Sequence, residues 1–297
     1  MELRIGELAA LFTAMCWTVT ALAFESASRK VGSVAVNIIR LLMAFVLLSL
    51  FSYIRRGMFL PMDASAYNWF WLILSGLTGF VIGDLFLFKS FTVIGSRLSM
   101  LVMTLVPPIS ALIGWMLMGE LLSGLNMLGM ALTLSGIALV IFNRQKKPAE
   151  PVNRIPLKGL LYALGGAFGQ AAGLVLSKFG MADYDAFSAT QIRVIAGIIG
   201  FAVIVHFFRR WLAVGNAFKH RKAMLLMLLG ATFGPFLGVS SSLIAVQNTA
   251  TGIASTIMSI TPILIIPPTL IFFKQKVSWQ ELVGAVISVG GVALFFI

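Results

Sequence analysis

Charge is what this sequence has least of. Of its 297 residues only 11% are charged, while 59% are hydrophobic. A water-soluble domain carries about 25% charged residues, so this chain has too little polar surface to face water all round. A lipid bilayer removes that requirement, because lipid-facing side chains can be apolar. Cysteine is nearly absent as well. Cys16 stands alone, which excludes an intrachain disulfide and argues against a cysteine-based metal site. The two histidines, His206 and His220, have no cluster of ligating or nucleophilic partners around them in the sequence. Neither a metal nor another cofactor is expected. There is no phosphate-binding loop, so ATP is not the energy source. A cleavable leader pattern is missing too: Arg4 and Glu7 run straight into a long apolar stretch.

Acidic residues number 10 against 22 basic ones, a formal net charge of +12. The basic residues sit in short clusters between apolar runs, such as Arg55-Arg56, 144–147 and 219–222. Such clusters flank membrane spans and set topology. No basic stripe with interleaved aromatics is present, which argues against a nucleic-acid partner.

An apolar helix needs about 20 residues to cross the hydrocarbon core. Ten segments qualify: 6–26, 33–54, 69–90, 97–118, 124–143, 157–177, 187–208, 223–246, 250–273 and 279–297. The runs do not alternate, so a barrel is disfavoured. The connectors are too short for a separate soluble domain. The segment 144–156 is polar and holds two prolines, the composition of a linker between halves.

The halves resemble each other. An offset of 153 aligns Gly6 with Gly159 and Arg40 with Arg193, and an offset of 154 aligns Gly76 with Gly230. An offset of 155 aligns Gly83 with Gly238, Pro107 with Pro262, Gly129 with Gly284 and Gly136 with Gly291. The expected domains are 1–143 and 157–297. Five spans per unit is an odd number, so the second unit enters the membrane from the opposite side. The expected fold class is therefore an all-α membrane protein, ten transmembrane helices arranged as two inverted five-helix repeats. That plan places a substrate site near the midplane between halves that can rock.

Several ordered residues carry a family likeness. They are Ala14-Met-Cys-Trp-Thr in the first span, Arg40 and Arg193, the run 99–107 followed by Gly119-Glu120, and Gly129 to Gly136. The second half repeats them at 256–262 and 284–291. In these the chain resembles the drug/metabolite transporter superfamily, in particular its EamA-type ten-helix branch. The resemblance covers essentially the whole length. It implies a carrier of metabolites, often an exporter of amino acids or similar compounds, with a cavity lined by helices 1, 3 and 4 of one half and 6, 8 and 9 of the other. Two departures stand out. Gln275 and Lys276 replace the second-half counterparts of Glu120 and Leu121. The proton-exchanging glutamate that four-helix relatives carry in mid-span 1 is absent, its region being Cys16, Trp17 and Thr18.

Ionisable groups within a span are costly and are functional candidates. Asp84 leads them, either as a ligand or protonation site or as a structural ion pair with Lys89, Arg40 or Arg97. Its counterpart is Val239, followed by three serines. Arg40 and Arg193 occupy equivalent places, which favours a scaffold role; the alternative is a guanidinium fork on a substrate carboxylate. Glu25 aligns with Lys178, a charge swap at span ends that can gate or simply sit in solvent. Trp17 aligns with Gln170, an apolar wall opposite a hydrogen-bonding one. Thr20, Thr104, Ser240, Ser241, Gln247, Ser255 and Ser259 are further cavity candidates, each with the competing reading that it bonds its own helix. Gly165, Gly169 and Gly173, and Gly230, Gly234 and Gly238, read as packing faces. Pro107-Pro108, Pro262 and Pro267-Pro268 read as kinks in spans 4 and 9.

With ten spans both termini share a side. Four basic residues lie on that side and sixteen on the other, with Arg40 and Arg193 inside the membrane. The positive-inside rule then puts both termini outside the cytoplasm, although relatives commonly place them inside. A small-molecule substrate, the lipid bilayer and protons as coupling ion are the expected partners, and the chain is expected to be a monomer in the cell membrane. A membrane enzyme would need a catalytic cluster, and none is visible. A flippase for a lipid-linked substrate and a non-transporting membrane subunit remain as alternatives.

Overall fold

The computed structural model describes residues 4–144, 156–264 and 279–296. The described residues are helical throughout, with no strand among them. Most of the linker 144–156, Pro267-Pro268, and the end of the span expected at 250–273, from 265 on, lie outside them.

Six helices are long and apolar enough to cross a membrane: Ile5–Ser28, Ser33–Arg56, Ala66–Leu87, Leu157–Met181, Ala186–Phe207 and Arg221–Asn248. Shorter apolar helices cover Val106–Met118, Gly124–Leu139 and Leu282–Phe296. The chain runs through α1 (Ile5–Val31), α2 (Ser33–Arg56) and α3 (Ala66–Gly76), then a π-helical turn (Leu77–Gly83) and α4 (Asp84–Met103). The first half ends with α5 (Val106–Met118) and α6 (Gly124–Arg144). The second half holds α7 (Leu157–Met181), α8 (Ala186–Phe207), α9 (Trp211–Phe218) and α10 (Arg221–Ala231). A second π-helical turn (Thr232–Gly238), α11 (Val239–Asn248), α12 (Thr251–Met258), α13 (Thr261–Leu264) and α14 (Trp279–Ala293) complete it.

Local chemistry marks the ends. Ser65 and Asn68 form a reciprocal capping box at the start of α3. The Asp185 carboxylate accepts from the Ser188 N–H at the start of α8. Gly57 and Gly119 close α2 and α5 in the left-handed conformation that glycine adopts without strain.

α4 is not one straight rod. The Ser90 hydroxyl donates to Ser99 Oγ at 2.7 Å, whereas nine residues of straight helix span about 13.5 Å. Ser90 and Ser99 therefore lie closer than a straight helix allows, and they flank the point where the sequence separates spans 69–90 and 97–118. A second interruption comes at Thr104-Leu105, and its counterpart stands at Ser259-Ile260. Each break precedes a proline by two residues, Pro107 and Pro262. Proline lacks the N–H that would bond four residues back, so the helix opens there.

The halves match most closely at their π-turns. The π-turns occupy 77–83 and 232–238, an offset of 155 at both ends. Around each, the same contact recurs with different chemistry. A Cβ on Gly83 would lie 3.1 Å from Gln170 Nε2, and one on Gly238 would lie 2.9 Å from Trp17 Nε1. Gly79 lies against Gly173 as Gly234 lies against Thr20.

The last helix of each half shows how the two copies relate. A Cβ on Gly129 would meet the Gly291 carbonyl oxygen at 2.9 Å, and one on Gly136 would meet that of Gly284 at 2.4 Å. Earlier residues of α6 thus meet later residues of α14, so the two helices run antiparallel. Between these contacts Ser288 donates to the Thr133 carbonyl at 3.0 Å, and Thr133 donates back to the Ser288 carbonyl at 3.5 Å. Ser288 is the counterpart of Thr133 at offset 155. A residue can touch its own equivalent only on a twofold axis, and antiparallel helices place that axis across the bundle rather than along it. Small residues let the backbones approach this closely.

Candidate functional site

A cavity of about 340 Å³ lies between the two halves. Its walls come from α1, α2, both π-turns, the interrupted helices at 103–106 and 255–261, and the middles of α7 and α8. The π-turns bring Phe80 and Pro235 to the wall, and Asp84 and Val239 come directly after them. Pro235 has no N–H to lend to a regular ladder. In the other turn the Gly79 carbonyl accepts from Gln170 Nε2 at 3.3 Å. A π-turn re-aims the next stretch of helix and is common at functional sites.

Three ionisable side chains line the cavity: Arg40, Asp84 and Arg193. Asp84, 7% exposed, forms an ion pair with Arg40 and accepts from Gln170 Nε2 at 2.8 Å. Arg40 is one of the ion-pair partners expected for Asp84; the side chain of another, Arg97, lies outside the described residues. The Arg40 guanidinium also lies 5.3 Å from the Phe24 ring centre. Arg193, 5% exposed, is set over Phe80 at 4.9 Å. It makes no hydrogen bond or ion pair among the described residues, whereas Arg40 has Asp84; the Nε of each arginine is buried without an acceptor. Both arginines stand about 10 Å in from the starts of their helices by helical rise. In antiparallel copies those starts lie at opposite ends.

Of the other expected site residues, Trp17, Thr20, Thr104, Gln170, Ser255 and Ser259 also line the cavity. Thr20 donates to the Cys16 carbonyl at 2.9 Å, Ser255 to that of Thr251 at 2.6 Å and Ser259 to that of Thr256 at 2.7 Å. Their hydroxyls are satisfied by their own helices. Ser240 and Ser241 are buried, and the serine of that run on the cavity wall is Ser242. Gln247 lies elsewhere, donating to the Ala182 and Tyr184 carbonyls. Glu25 falls in α1, and its side chain lies outside the described residues.

Lys178 sits at one end of the bundle in a layer of polar ties between the halves. Its ammonium pairs with Glu120 and donates to the Thr249 carbonyl at 2.7 Å. The other Glu120 oxygen accepts from the Thr251 N–H at 2.8 Å and its hydroxyl at 2.6 Å. Arg55 pairs with Asp185 at 2.8 Å, and Arg56 joins both Asp63 and Ser188. Tyr184 donates to Asp63 at 3.0 Å. Burial alone would raise the Asp63 carboxyl, but the hydrogen bonds from Arg56 and Tyr184 outweigh it and hold the group below the usual carboxylate range. The Glu120–Lys178 tie was not legible from residues 58 positions apart, and Glu120 alone reads as a helix-end charge.

The family model of EamA-like transporters matches residues 4–142 and again 157–297. The chain belongs to the EamA-like transporter family. It is accordingly a multi-pass membrane protein built from two EamA repeats, and the family's members are membrane transporters. A solved crystal structure of another protein is similar over 98% of this chain and 96% of its own, with a TM-score of 0.75 at 17% identity. That likeness concerns the fold alone. No curated protein matches the sequence.

Proposed function

We propose that this protein is a secondary transporter of small metabolites, ten helices in two inverted repeats that rock about the cavity between them. The observation that carries the reading is the cavity itself: it lies between two antiparallel copies, and one end of the bundle is tied across the copies by Lys178–Glu120–Thr251 and Arg55–Asp185. Breaking such ties while forming others at the opposite end is what alternating access requires. Glu120 and Lys178 act as the gate of the closed end. The expected cargo is an amino acid or a related amphiphilic compound, moved outward across the cell membrane by a monomer. The charge bias places both termini, and with them the closed end, outside the cytoplasm.

Protons are the proposed coupling ion. Asp84 takes one when rocking separates it from Arg40. The test is counterflow in proteoliposomes without ATP, across amino acids, amines, carboxylates, nucleosides and cationic drugs. Accumulation of at least one class supports a carrier; failure of all of them rejects it. Transport by Asp84→Asn that keeps the wild-type pH dependence removes the proton role. A carboxy-terminal reporter active only in the cytoplasm reads the orientation, and strong signal overturns it.

A further inference from the structure

Among the described residues the repeats supply two guanidinium groups to the cavity but one carboxylate. In the first half Arg40 has Asp84. In the second, the place of Asp84 is taken by Val239, 8% exposed and also on the cavity wall. Arg193 is left with a ring face below it and no acceptor among the described residues. Asp84 acts on it as a charge at longer range, but the Asp84 oxygens are engaged by Arg40 and Gln170. A guanidinium carries five N–H donors in a planar fork, and Phe80 satisfies none of them as an acceptor would. A charge buried in a membrane without a partner is costly and is kept where something binds it.

We infer that the cavity binds a small organic monoanion, a carboxylate with an apolar body, whose carboxylate sits on Arg193 in the role Asp84 plays for Arg40. This rests on the carrier reading of the cavity and, among the amphiphilic cargoes that reading allows, selects the simple acid over the amino acid. The three ionisable groups among the described lining residues leave a net charge of +1, which one carboxylate neutralises and a doubly charged phosphate does not. The remaining wall is mostly apolar, with Trp17, Phe80, Leu87, Leu174 and Met258 to hold the body of the ligand. A free ammonium finds no unengaged carboxylate among the described lining residues, so a simple acid is preferred over a zwitterion of the same size. The bidentate fork fits a planar carboxylate in a way a lysine does not.

The experiment is calorimetric binding to the detergent-purified full chain with one aromatic body and varied head groups: phenylacetate, phenethylamine, phenethyl alcohol, phenylalanine and phenyl phosphate. Phenylacetate is expected to bind at least about tenfold more tightly than the others. Arg193→Lys is expected to weaken it by about tenfold, and Arg193→Gln to lose it. Val239→Asp keeps Arg193 and gives it an internal counter-ion, so it is expected to lose phenylacetate while remaining folded by melting profile. Tighter binding of the amine, alcohol, amino acid or phosphate overturns the inference. So does wild-type affinity in Val239→Asp or Arg193→Gln, or absence of binding by every probe. Proteoliposome counterflow runs beside it: flux of any compound without phenylacetate binding rejects the anion site and leaves the carrier standing, whereas phenylacetate binding without any flux supports the site and rejects the carrier.

Discussion

The two halves place the same arginine against different neighbours. Arg40 faces Asp84 and Phe24; Arg193 faces Phe80 and has Val239 where the carboxylate would be. The backbone around each is the same, with a π-turn at the same offset and a glycine against the opposing helix. Duplication thus fixes where a charge stands, and a single neighbouring substitution decides whether the protein neutralises that charge itself. The half that is electrostatically complete reads as scaffold, and the incomplete half reads as the place where chemistry enters.

The largest effect that tests this difference comes from removing one partner in each half. Asp84→Ala leaves Arg40 largely shielded from solvent and uncompensated and is expected to cost up to about 3–5 kcal/mol of stability. Arg193→Met strands no partner and is expected to be neutral or mildly stabilising, since an unpaired buried charge is replaced by an apolar side chain. Thermal unfolding in detergent reads both; equal losses would erase the distinction between the halves.

Next in size is the close contact where the copies meet. A Cβ on Gly136 would stand 2.4 Å from the Gly284 carbonyl, whereas one on Gly290 meets nothing within 4 Å. Gly136→Ala is expected to destabilise by about 1–3 kcal/mol, with Gly290→Ala as the silent control in the same melting assay. Similar behaviour of the two would move the contact between copies away from this glycine pair.

The closed end gives a smaller effect. Glu120→Gln and Lys178→Met should be coupled in a double-mutant cycle by about 0.5–3 kcal/mol. Additivity would show that the tie between the copies does not run through this pair. The smallest effect is acid sensitivity at Asp63. Its carboxyl is held below the ordinary range, so its contribution is complete above that range and fades as pH falls through the folded value. Because the side chain is 36% exposed, the loss is expected to stay within about 0.2–1 kcal/mol. Melting of wild type and Asp63→Asn between roughly pH 7 and pH 3 checks it; identical acid profiles would discount this tie.

Much of this architecture was legible because packing leaves a record in sequence. The glycines at 129, 136, 284 and 291 align with one another because they pack on one another. The pairing of Asp84 with Arg40 was within reach because few charges in a span can satisfy each other. The π-turns were hidden because a wider helical turn has no composition of its own, and a feature that both halves hold at an offset of 155 leaves no difference between them to notice. Which hydroxyls face the cavity was also beyond reach. Ser240, Ser241 and Ser242 are successive residues about 100° apart on a helix, and no periodicity in such a run selects Ser242. The Lys178–Glu120 contact joins distant segments and leaves no local mark.

The shared π-turns also separate what the halves have in common from what they do not. An insertion gained by one half after duplication would stand in that half alone and shift every later offset. Both halves hold the turn, at 77–83 and 232–238. The turn is therefore a property of the repeat unit, common to both halves. The carboxylate of Asp84 and the apolar side chain of Val239 thus stand on the same bent frame, and the two halves differ in chemistry where they agree in backbone.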